Sequence, residues 1–274
     1  MPAPPTIGVG ITTRNRRAIF DDSLSHWLEV IGDARLVVVD DGSDTPVPAI
    51  DGATVIRHGT SRGVAQSKNR CIAALLDAGC DHLFLADDDV YPRVPWWWRP
   101  YVESPEHHLC YQWPRPARRV GGGRLNRWRL VPQPGHPLAE THFAVGFPRG
   151  VLIYLDRRVV DTVGGFDPEY GRGEHVEFSY RCWLAGLSTF SQRDESGAVV
   201  AAYGDVRGSE VIWYARDRYE RIQSTFGDRE AMRQADIDGA RRWGVNWPGG
   251  VPVRIDPWTG TRTTATCLAS GRHR

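Results

Sequence analysis

Three consecutive carboxylates, Asp87, Asp88 and Asp89, directly follow a short apolar run from Leu83 to Ala86. A run of this kind predicts a buried strand, so the acidic residues stand where that strand leaves its sheet. Ligands of open α/β sheets bind at the carboxyl ends of the strands. Crowded carboxylates repel one another unless a cation lies among them, and their hard oxygens suit Mg²⁺ or Mn²⁺ shared with a diphosphate. A solvated acidic turn is the competing interpretation.

The elements before this stretch alternate between short strands and helices. We predict strands over residues 7–12, 36–39, 54–57 and 83–86, a helix ending near Gly32 and another over 64–78. Such alternation is typical of a parallel sheet with helices on its faces. The second strand also ends in an acidic turn, at Asp40 and Asp41. Residues 1–92 therefore have the layout of a nucleotide-binding half-domain.

The sequence after residue 92 predicts the second half of the same domain, followed by a helical segment and a tail. Residues 93–208 form an acceptor and catalytic half, with strand within 143–156, a helix over 157–163, a helix from Glu174 to Ala185 and a strand over 199–203. Residues 209–244 form a helical segment, with its helix over 210–242, and residues 245–274 form a C-terminal tail that docking would order. We expect a single domain over residues 1–244.

Composition sets broad limits on the protein class. The chain has 274 residues, 41% of them hydrophobic and 24% charged, and a net charge of +1, which calls for no polyanionic partner. The five cysteines include no CxxC pair, so neither a disulfide framework nor a zinc site is indicated, and a reducing compartment fits. No run approaches the roughly 20 apolar residues of a membrane span. We expect a cytoplasmic protein.

Five stretches, in this order, resemble family 2 glycosyltransferases of the GT-A fold: ITTRNR, VVVDDGSDT, SRGVAQSKNRCIAAL, LADDDV and VGGFDPEYGRGEHVEFSYRCWLAG. The resemblance runs from Ile7 to about Asp205. It implies an α/β, GT-A fold: Rossmann-like, with a mostly parallel central sheet flanked by helices. It also implies an enzyme that moves a sugar from a nucleotide diphosphate, with a UDP-sugar favoured, to an acceptor hydroxyl.

The resemblance assigns a donor site position by position. Thr12 and Arg14 would line the nucleotide pocket, and Asp40 or Asp41 would accept a hydrogen bond from the base. A tight turn at the acidic pair and a solvated helix face at Lys68 are the competing interpretations. The full predicted nucleotide set is Thr12, Arg14, Asp40, Asp41, Arg62, Lys68, Asn69, Asp87 and Asp88.

The same resemblance implies a divalent metal cofactor, Mn²⁺ or Mg²⁺. Asp89 matches the metal-binding carboxylate of the family, and Asp87 matches the carboxylate near the ribose or metal. Many relatives complete the site with a downstream histidine, but this chain has AAYGDVRGSE there. Asp205 is a candidate third ligand, although a plain loop residue is favoured at that position. The ion would neutralise charge on the departing diphosphate.

The stretch GRGEHVEFSYRCW resembles the acceptor-side motif, and it is also similar to a segment of polypeptide N-acetylgalactosaminyltransferases. Glu174, at a helix start, is the candidate general base, with a helix cap as the alternative. Glu177 is the second predicted catalytic residue and pairs with Arg181 on one helix face. The family often has Asp where His175 stands, so the base stays open. The stereochemistry also stays open, with inversion favoured.

A basic tract lies between the acidic cluster and this motif, with six arginines and no acid from Arg115 to Arg129. Arginines interleaved with tryptophan suit contacts to phosphates and stacking on bases, so this tract favours a DNA acceptor such as a hydroxymethylated base in phage-type DNA. With such an acceptor, the protein would act inside a phage-infected cell. A basic lid over the donor is equally favoured. Protein or glycan acceptors stay open, with Trp96 to Trp98 as a platform. The arginines are Arg115, Arg118, Arg119, Arg124, Arg127 and Arg129.

Two other protein classes share part of this pattern. A nucleotidyltransferase would use the same sheet and acidic site, but it gives no reason for GGFDPEY followed by GRGEHVE. A non-catalytic nucleotide- or DNA-binding module is the third class. Release of pyrophosphate would identify the nucleotidyltransferase, and release of a nucleoside diphosphate would identify the glycosyltransferase.

Overall fold

The computed structural model describes residues 5–92, 95–103, 107–110, 150–169, 174–185 and 187, with 192–193, 199–201, 212–214 and 253–264. The described helices are α1 (Arg17–Val30), α2 (Val64–Asp77), α3 (Arg99–Val102), α4 (Arg157–Val163) and α5 (Glu174–Leu184). The described strands are β1 (Ile7–Thr13), β2 (Arg35–Asp40), β3 (Ala53–Arg57), β4 (His82–Asp87), β5 (Val90–Pro92), β6 (His108–Cys110), β7 (Leu152–Asp156), β8 (Gln192–Arg193), β9 (Val199–Ala201), β10 (Ile212–Tyr214), β11 (Val253–Ile255) and β12 (Arg262–Thr264).

A six-stranded sheet in the order β3-β2-β1-β4-β7-β6 forms the centre of the fold. Its first four strands are parallel, β7 runs antiparallel to β4, and β6 runs antiparallel to β7. In register, Thr13 of β1 lies beside Asp40 of β2, and Thr12 lies beside Asp87 of β4. Both acidic turns therefore leave the sheet at one edge, on either side of the end of β1.

Apolar side chains cover both faces of this sheet. Val37 and Val39 of β2 join the cluster that contains residues of α2, α4 and α5, whereas Val38 joins the cluster that contains residues of α1. This division follows from the two-residue period of a strand. On the first face α2 lies very close to β1, because a side chain at Gly10 would come within 2.5 Å of Cys71 Cβ. The described chain is thus a three-layer α/β structure.

Most predicted elements of the first half are confirmed, with ends shifted by one or two residues, and α4 has the predicted bounds. The helix predicted over 210–242 is wrong at its start, because Ile212–Tyr214 forms strand β10, antiparallel to β5. Its branched and aromatic residues favour a strand, and in the pairing with β5 Trp213 lies beside Tyr91. The remainder of that predicted helix lies outside the described residues.

The predicted C-terminal tail contains an ordered hairpin, β11 and β12. It docks on the turn after α4, where the Gly165 amide donates to the Ile255 carbonyl at 2.7 Å, and the Ile255 side chain is fully buried. Among the described helices, none has the length and apolar character needed to cross a membrane.

Candidate active site

The acidic turn after β4 forms the centre of the candidate site. The side chain of Asp87 is 34% exposed, whereas those of Asp88 and Asp89 are only 2% and 4% exposed. The turn therefore presents one carboxylate to solvent and holds two inside. Two neighbouring buried carboxylates need a positive counter-charge or a proton to remain stable.

Arg16, at the start of α1, supplies that counter-charge from within the chain. Its guanidinium lies 2.8 Å from Asp88 Oδ1 and 2.7 Å from Asp89 Oδ2. Thr13 Oγ1 donates to Asp88 Oδ2 at 2.6 Å. Burial nevertheless raises the pKa of Asp88 to about 7 against the opposing effect of Arg16. Neither Arg16 nor Thr13 was predicted from the sequence to contact the acidic turn, although both lie in the ITTRNR stretch.

The turn retains oxygen atoms with which it could hold a cation. Asp89 Oδ1 is buried and has no hydrogen-bond partner in the described part of the chain, and Asp87 is half-exposed beside it. No cluster of three or more metal-ligating residues occurs among the described residues. Mg²⁺ and Mn²⁺ are commonly held by one or two carboxylates plus phosphate and water, so this donor set fits such an ion.

Asp40, at the end of β2, is fully buried and shapes its own turn. Its carboxylate accepts hydrogen bonds from the Ser43 amide at 2.8 Å, the Val47 amide at 3.1 Å and Arg57 Nη1 at 2.8 Å. Burial opposes the ionised form, but these bonds to Ser43 and Val47 keep the pKa of Asp40 below its usual value. These contacts favour the turn interpretation of Asp40.

Asp41 organises the loop that leads into α2. It accepts from the Arg62 and Gly63 amides at 2.8 and 3.0 Å and from Ser61 Oγ at 2.7 Å, and His58 Nδ1 lies 2.8 Å away. These bonds outweigh burial and lower the pKa of Asp41. Asp40 and Asp41 are thus both engaged by the chain itself, and a contact to the base remains a prediction.

Three other residues of the predicted nucleotide set differ in exposure: Thr12 is half-buried, whereas Arg14 and Arg62 are exposed.

Lys68, in α2, joins the acidic turn to the start of α5. Its Nζ lies 3.0 Å from Glu174 Oε1, 3.2 Å from the Gly150 carbonyl oxygen and 3.7 Å from Asp87 Oδ1. Lys68 and Glu174 are 1% and 5% exposed, so the solvated-face interpretation of Lys68 is wrong. Although burial acts in the opposite direction, the Lys68 ammonium, with His175, holds the pKa of Glu174 well below its usual value.

His175 is the other neighbour of the Glu174 carboxylate. Its Nδ1 lies 3.5 Å from Glu174 Oε1, and its side chain is 22% exposed. The ring packs on the Gly150 backbone, because a Cβ atom at position 150 would come within 2.9 Å of its Cγ and Nδ1. The start of α5 thus presents a buried carboxylate next to a partly exposed imidazole.

Glu177 and Arg181 form the predicted pair on α5. Arg181 Nε and Nη2 lie 2.5 and 2.9 Å from the two carboxylate oxygens of Glu177. Arg181 also donates to the Val163 and Gly165 carbonyl oxygens at 2.6 and 2.7 Å. Both side chains are buried. These contacts fasten α5 to the turn after α4, which favours a supporting role for Glu177 over the predicted catalytic one.

The structure corrects two further predictions. Asn69 does not face a phosphate: it is 4% exposed, its Nδ2 donates to the Phe166 carbonyl at 2.8 Å, and its Oδ1 accepts from the Phe166 amide at 2.6 Å. Trp97 cannot form part of an acceptor platform, because it is fully buried against Phe84 and Trp27. Trp96 is 49% exposed.

Several predicted residues lie outside the described part of the chain. They include the third metal candidate and all six arginines of the basic tract. These residues are Asp205, Arg115, Arg118, Arg119, Arg124, Arg127 and Arg129.

A match to a solved structure identifies the fold. The chain matches glucosyl-3-phosphoglycerate synthase from Mycobacterium tuberculosis, solved with Mn²⁺, UDP and phosphoglyceric acid, with a TM-score of 0.51 and 18% identity. That match covers 95% of this chain and 86% of the other. A mannosyltransferase from Pyrobaculum calidifontis, solved with GDP-mannose and Mn²⁺, matches with a TM-score of 0.46 and 18% identity over 81% of this chain and 62% of that one. The fold is that of GT-A glycosyltransferases, as the resemblance implied.

Sequence comparison gives a more specific similarity. The chain is 29% identical over 241 residues to the pre-mycofactocin glycosyltransferase of Mycobacterium tuberculosis, in strains CDC 1551 and H37Rv. The match covers 80% of this chain and 48% of the relative, so the chain spans about half the length of the curated relatives it matches. No protein-family model matches the chain.

Proposed function

We propose that the chain is a metal-dependent glycosyltransferase that moves a sugar from a nucleotide diphosphate, a UDP-sugar for preference, to an acceptor hydroxyl. One observation carries the proposal. At the edge of a GT-A sheet, the half-exposed Asp87 lies 3.7 Å from a buried lysine that also pairs with Glu174, and Asp89 of the same turn has an oxygen with no hydrogen-bond partner among the described residues. The similarity to glycosyltransferases in sequence and in fold supports this assignment.

Asp87 and Asp89 are the residues that would hold Mn²⁺ or Mg²⁺, with Asp205 as a candidate third ligand. When bound, the ion supplies positive charge to the diphosphate as it leaves. The synthase of matching fold was solved with Mn²⁺ and UDP, which supports both the metal and the uridine nucleotide. Thr12, Arg14 and Arg62 stand at the same edge of the sheet, where they would contact the nucleotide.

On the acceptor side, we propose Glu174 as the carboxylate that orients the acceptor hydroxyl and receives its proton. Lys68 keeps this carboxylate ionised, which is the form that can accept a proton. The same ion pair weakens its basicity, so proton transfer would accompany rather than precede attack on the sugar. A direct attack on the face opposite the leaving diphosphate corresponds to inversion, the favoured stereochemistry.

The acceptor is the less defined half of the proposal. The curated relative is named for pre-mycofactocin, and the synthase of matching fold for glucosyl-3-phosphoglycerate; neither name concerns DNA. The basic tract is therefore the only support for a DNA acceptor. The GRGEHVEFSYRCW stretch is the only support for a similarity to polypeptide N-acetylgalactosaminyltransferases. Among the candidate acceptors, we therefore rank a pre-mycofactocin-type molecule above glycans, proteins and hydroxymethylated DNA.

The experiment is a turnover assay over a panel of sugar nucleotides and these acceptors, with nucleoside diphosphate measured and products weighed by mass spectrometry. We expect diphosphate release with Mn²⁺, no release with EDTA, and loss of release in Asp89→Asn. Asp77→Asn is the matched control, because Asp77 is exposed at the end of α2. Undiminished release in EDTA would contradict the proposal, and pyrophosphate release would identify a nucleotidyltransferase.

A further inference from the structure

The chain contains one lysine, Lys68, among its 34 basic residues. That lysine is 1% exposed and lies in the second turn of α2. Lysine is rarely buried without a partner, because moving its charge out of water carries a large desolvation cost. In a sequence that uses arginine at every other basic position, a single buried lysine points to a requirement for an ammonium group at this place.

The contacts of Lys68 connect three separate parts of the site. Glu174 is the first residue of α5, Asp87 ends β4, and Gly150 lies just before β7. An ammonium group has three N–H donors directed around a single atom, so it can serve three oxygens that converge on one point. A guanidinium is larger and planar, and it would not reproduce this arrangement.

We propose that Lys68 is a positioning residue of the transfer reaction, and that it fixes the Glu174 carboxylate relative to Asp87. The inference rests on the proposed function, because Asp87 belongs to its donor side and Glu174 to its acceptor side. Lys68 acts through these two carboxylates and needs no contact with the sugar. It sets the distance between the leaving diphosphate and the group that receives the acceptor proton, a distance on which the rate depends steeply.

Kinetics of two Lys68 variants test this role. In Lys68→Met, Glu174 keeps its burial and its neighbour His175 but loses the adjacent ammonium, so its pKa rises. We expect kcat to fall on the order of 100-fold and the acid limb of the kcat/KM profile to lie at higher pH than in the wild type, because Glu174 then becomes protonated at higher pH. The affinity for UDP with Mn²⁺ should change by less than about threefold. Lys68→Arg keeps the positive charge, so it should restore the position of the acid limb but only part of kcat.

A second measurement needs no turnover, because the side-chain amine of Lys68 is unique. We expect Lys68 of the folded wild-type protein to resist acetylation by an amine-reactive ester. In Glu174→Gln, Lys68 loses its main ion-pair partner, so we expect Lys68 to be acetylated at least about tenfold faster than in the wild type. Arg70→Lys, an exposed position on the same helix, is the control for reagent access.

The outcomes separate this inference from the proposed function. If no sugar nucleotide is turned over but Lys68 is protected through Glu174, the arrangement stands and the proposed reaction fails. If turnover occurs while Lys68→Met keeps the wild-type kcat and acid limb, the positioning role is overturned. Acetylation of wild-type Lys68 as fast as that of the added lysine in Arg70→Lys would also overturn it.

Discussion

Lys68 Nζ and Glu174 Oε1 lie 3.0 Å apart, although the two residues are 106 positions apart in the sequence. This ion pair is buried. It joins α2 to the first residue of α5, the helix that contains most of the acceptor-side motif. The two halves of the candidate site are therefore held together by a charge pair, and several consequences can be measured.

Removing the carboxylate from this pair should affect both stability and turnover. Glu174→Gln leaves the Lys68 ammonium buried without its nearest counter-charge, which typically costs about 3–5 kcal/mol of unfolding free energy. Turnover should fall about 10²- to 10⁴-fold if Glu174 receives the acceptor proton. Urea unfolding and diphosphate release measure the two effects. Glu103→Gln, at an exposed pair with Arg99, is the control and should change neither. Wild-type stability in Glu174→Gln would show that the pair contributes little.

Arg16 should compete with a divalent ion for the acidic turn. Arg16→Gln removes the counter-charge of Asp88 and Asp89, and we expect it to lower the unfolding free energy by about 2–4 kcal/mol. Added Mn²⁺ should then raise the melting temperature of the variant more than that of the wild type, because the ion replaces the missing charge. Calorimetric melting with and without Mn²⁺ decides the point. An identical Mn²⁺ shift in both proteins would mean that Arg16 and the ion do not share these carboxylates.

His108 should make stability depend on pH below neutrality. It is fully buried, its Nδ1 lies 2.9 Å from the Tyr154 carbonyl oxygen and its Nε2 lies 2.8 Å from Ser179 Oγ. Burial lowers its pKa from 6.5 to about 4. The unfolded chain therefore binds the proton first, so stability is complete above pH 6.5 and is lost as pH falls toward 4.

Between pH 7 and pH 5 this residue alone should cost roughly 2 kcal/mol of unfolding free energy. His108→Asn keeps a donor for the Tyr154 carbonyl and removes the titrating group, so its stability should fall less over that interval. Urea midpoints at the two pH values provide the comparison. Equal losses in the two proteins would show that folding does not lower the pKa of His108.

Gly164 should be essential for docking of the C-terminal hairpin. Its φ is +73°, and a Cβ atom there would overlap the Ile255 carbonyl oxygen. Gly164→Ala should lower the unfolding free energy by several kcal/mol and expose residues 253–264 to hydrogen exchange. Gly52→Ala is the matched control, because Gly52 has a φ of +75° and no atom of the described chain within 4 Å of a built Cβ. This substitution should lower the unfolding free energy by only about 1–2 kcal/mol. Unchanged exchange in Gly164→Ala would show that the hairpin is held elsewhere.

The sequence was sufficient to predict the alternating elements and the acidic turn, because both depend on local patterns. Val37 to Val39 read as a strand, and Asp87 to Asp89 follow the next apolar run of the same kind. Partners distant in the chain were not predictable in this way. The Arg16 contacts to Asp88 and Asp89 depend on how β1 and β4 lie side by side, which a local pattern does not record.

Assignments of side-chain direction were the weakest part of the prediction. Asn69 stands next to Lys68 in a stretch that resembles a donor-facing segment, yet both its polar atoms bond to Phe166. The helical period alone could not show which face of α2 meets the turn after α4. Strand β10 was missed for a related reason, since its pairing with β5 is a long-range contact that outweighs the helical pattern of its neighbours.

Above all, we expect the edge of the sheet at Asp87 and Asp89 to bind a metal-chelated nucleoside diphosphate. Calorimetric titration with UDP, in the presence and absence of Mn²⁺, tests it without an acceptor. We expect Mn²⁺-dependent binding in the wild type, binding weakened at least about tenfold in Asp89→Asn, and unchanged binding in the exposed control Asp77→Asn. UDP binding of equal strength with EDTA or in Asp89→Asn would contradict the claim.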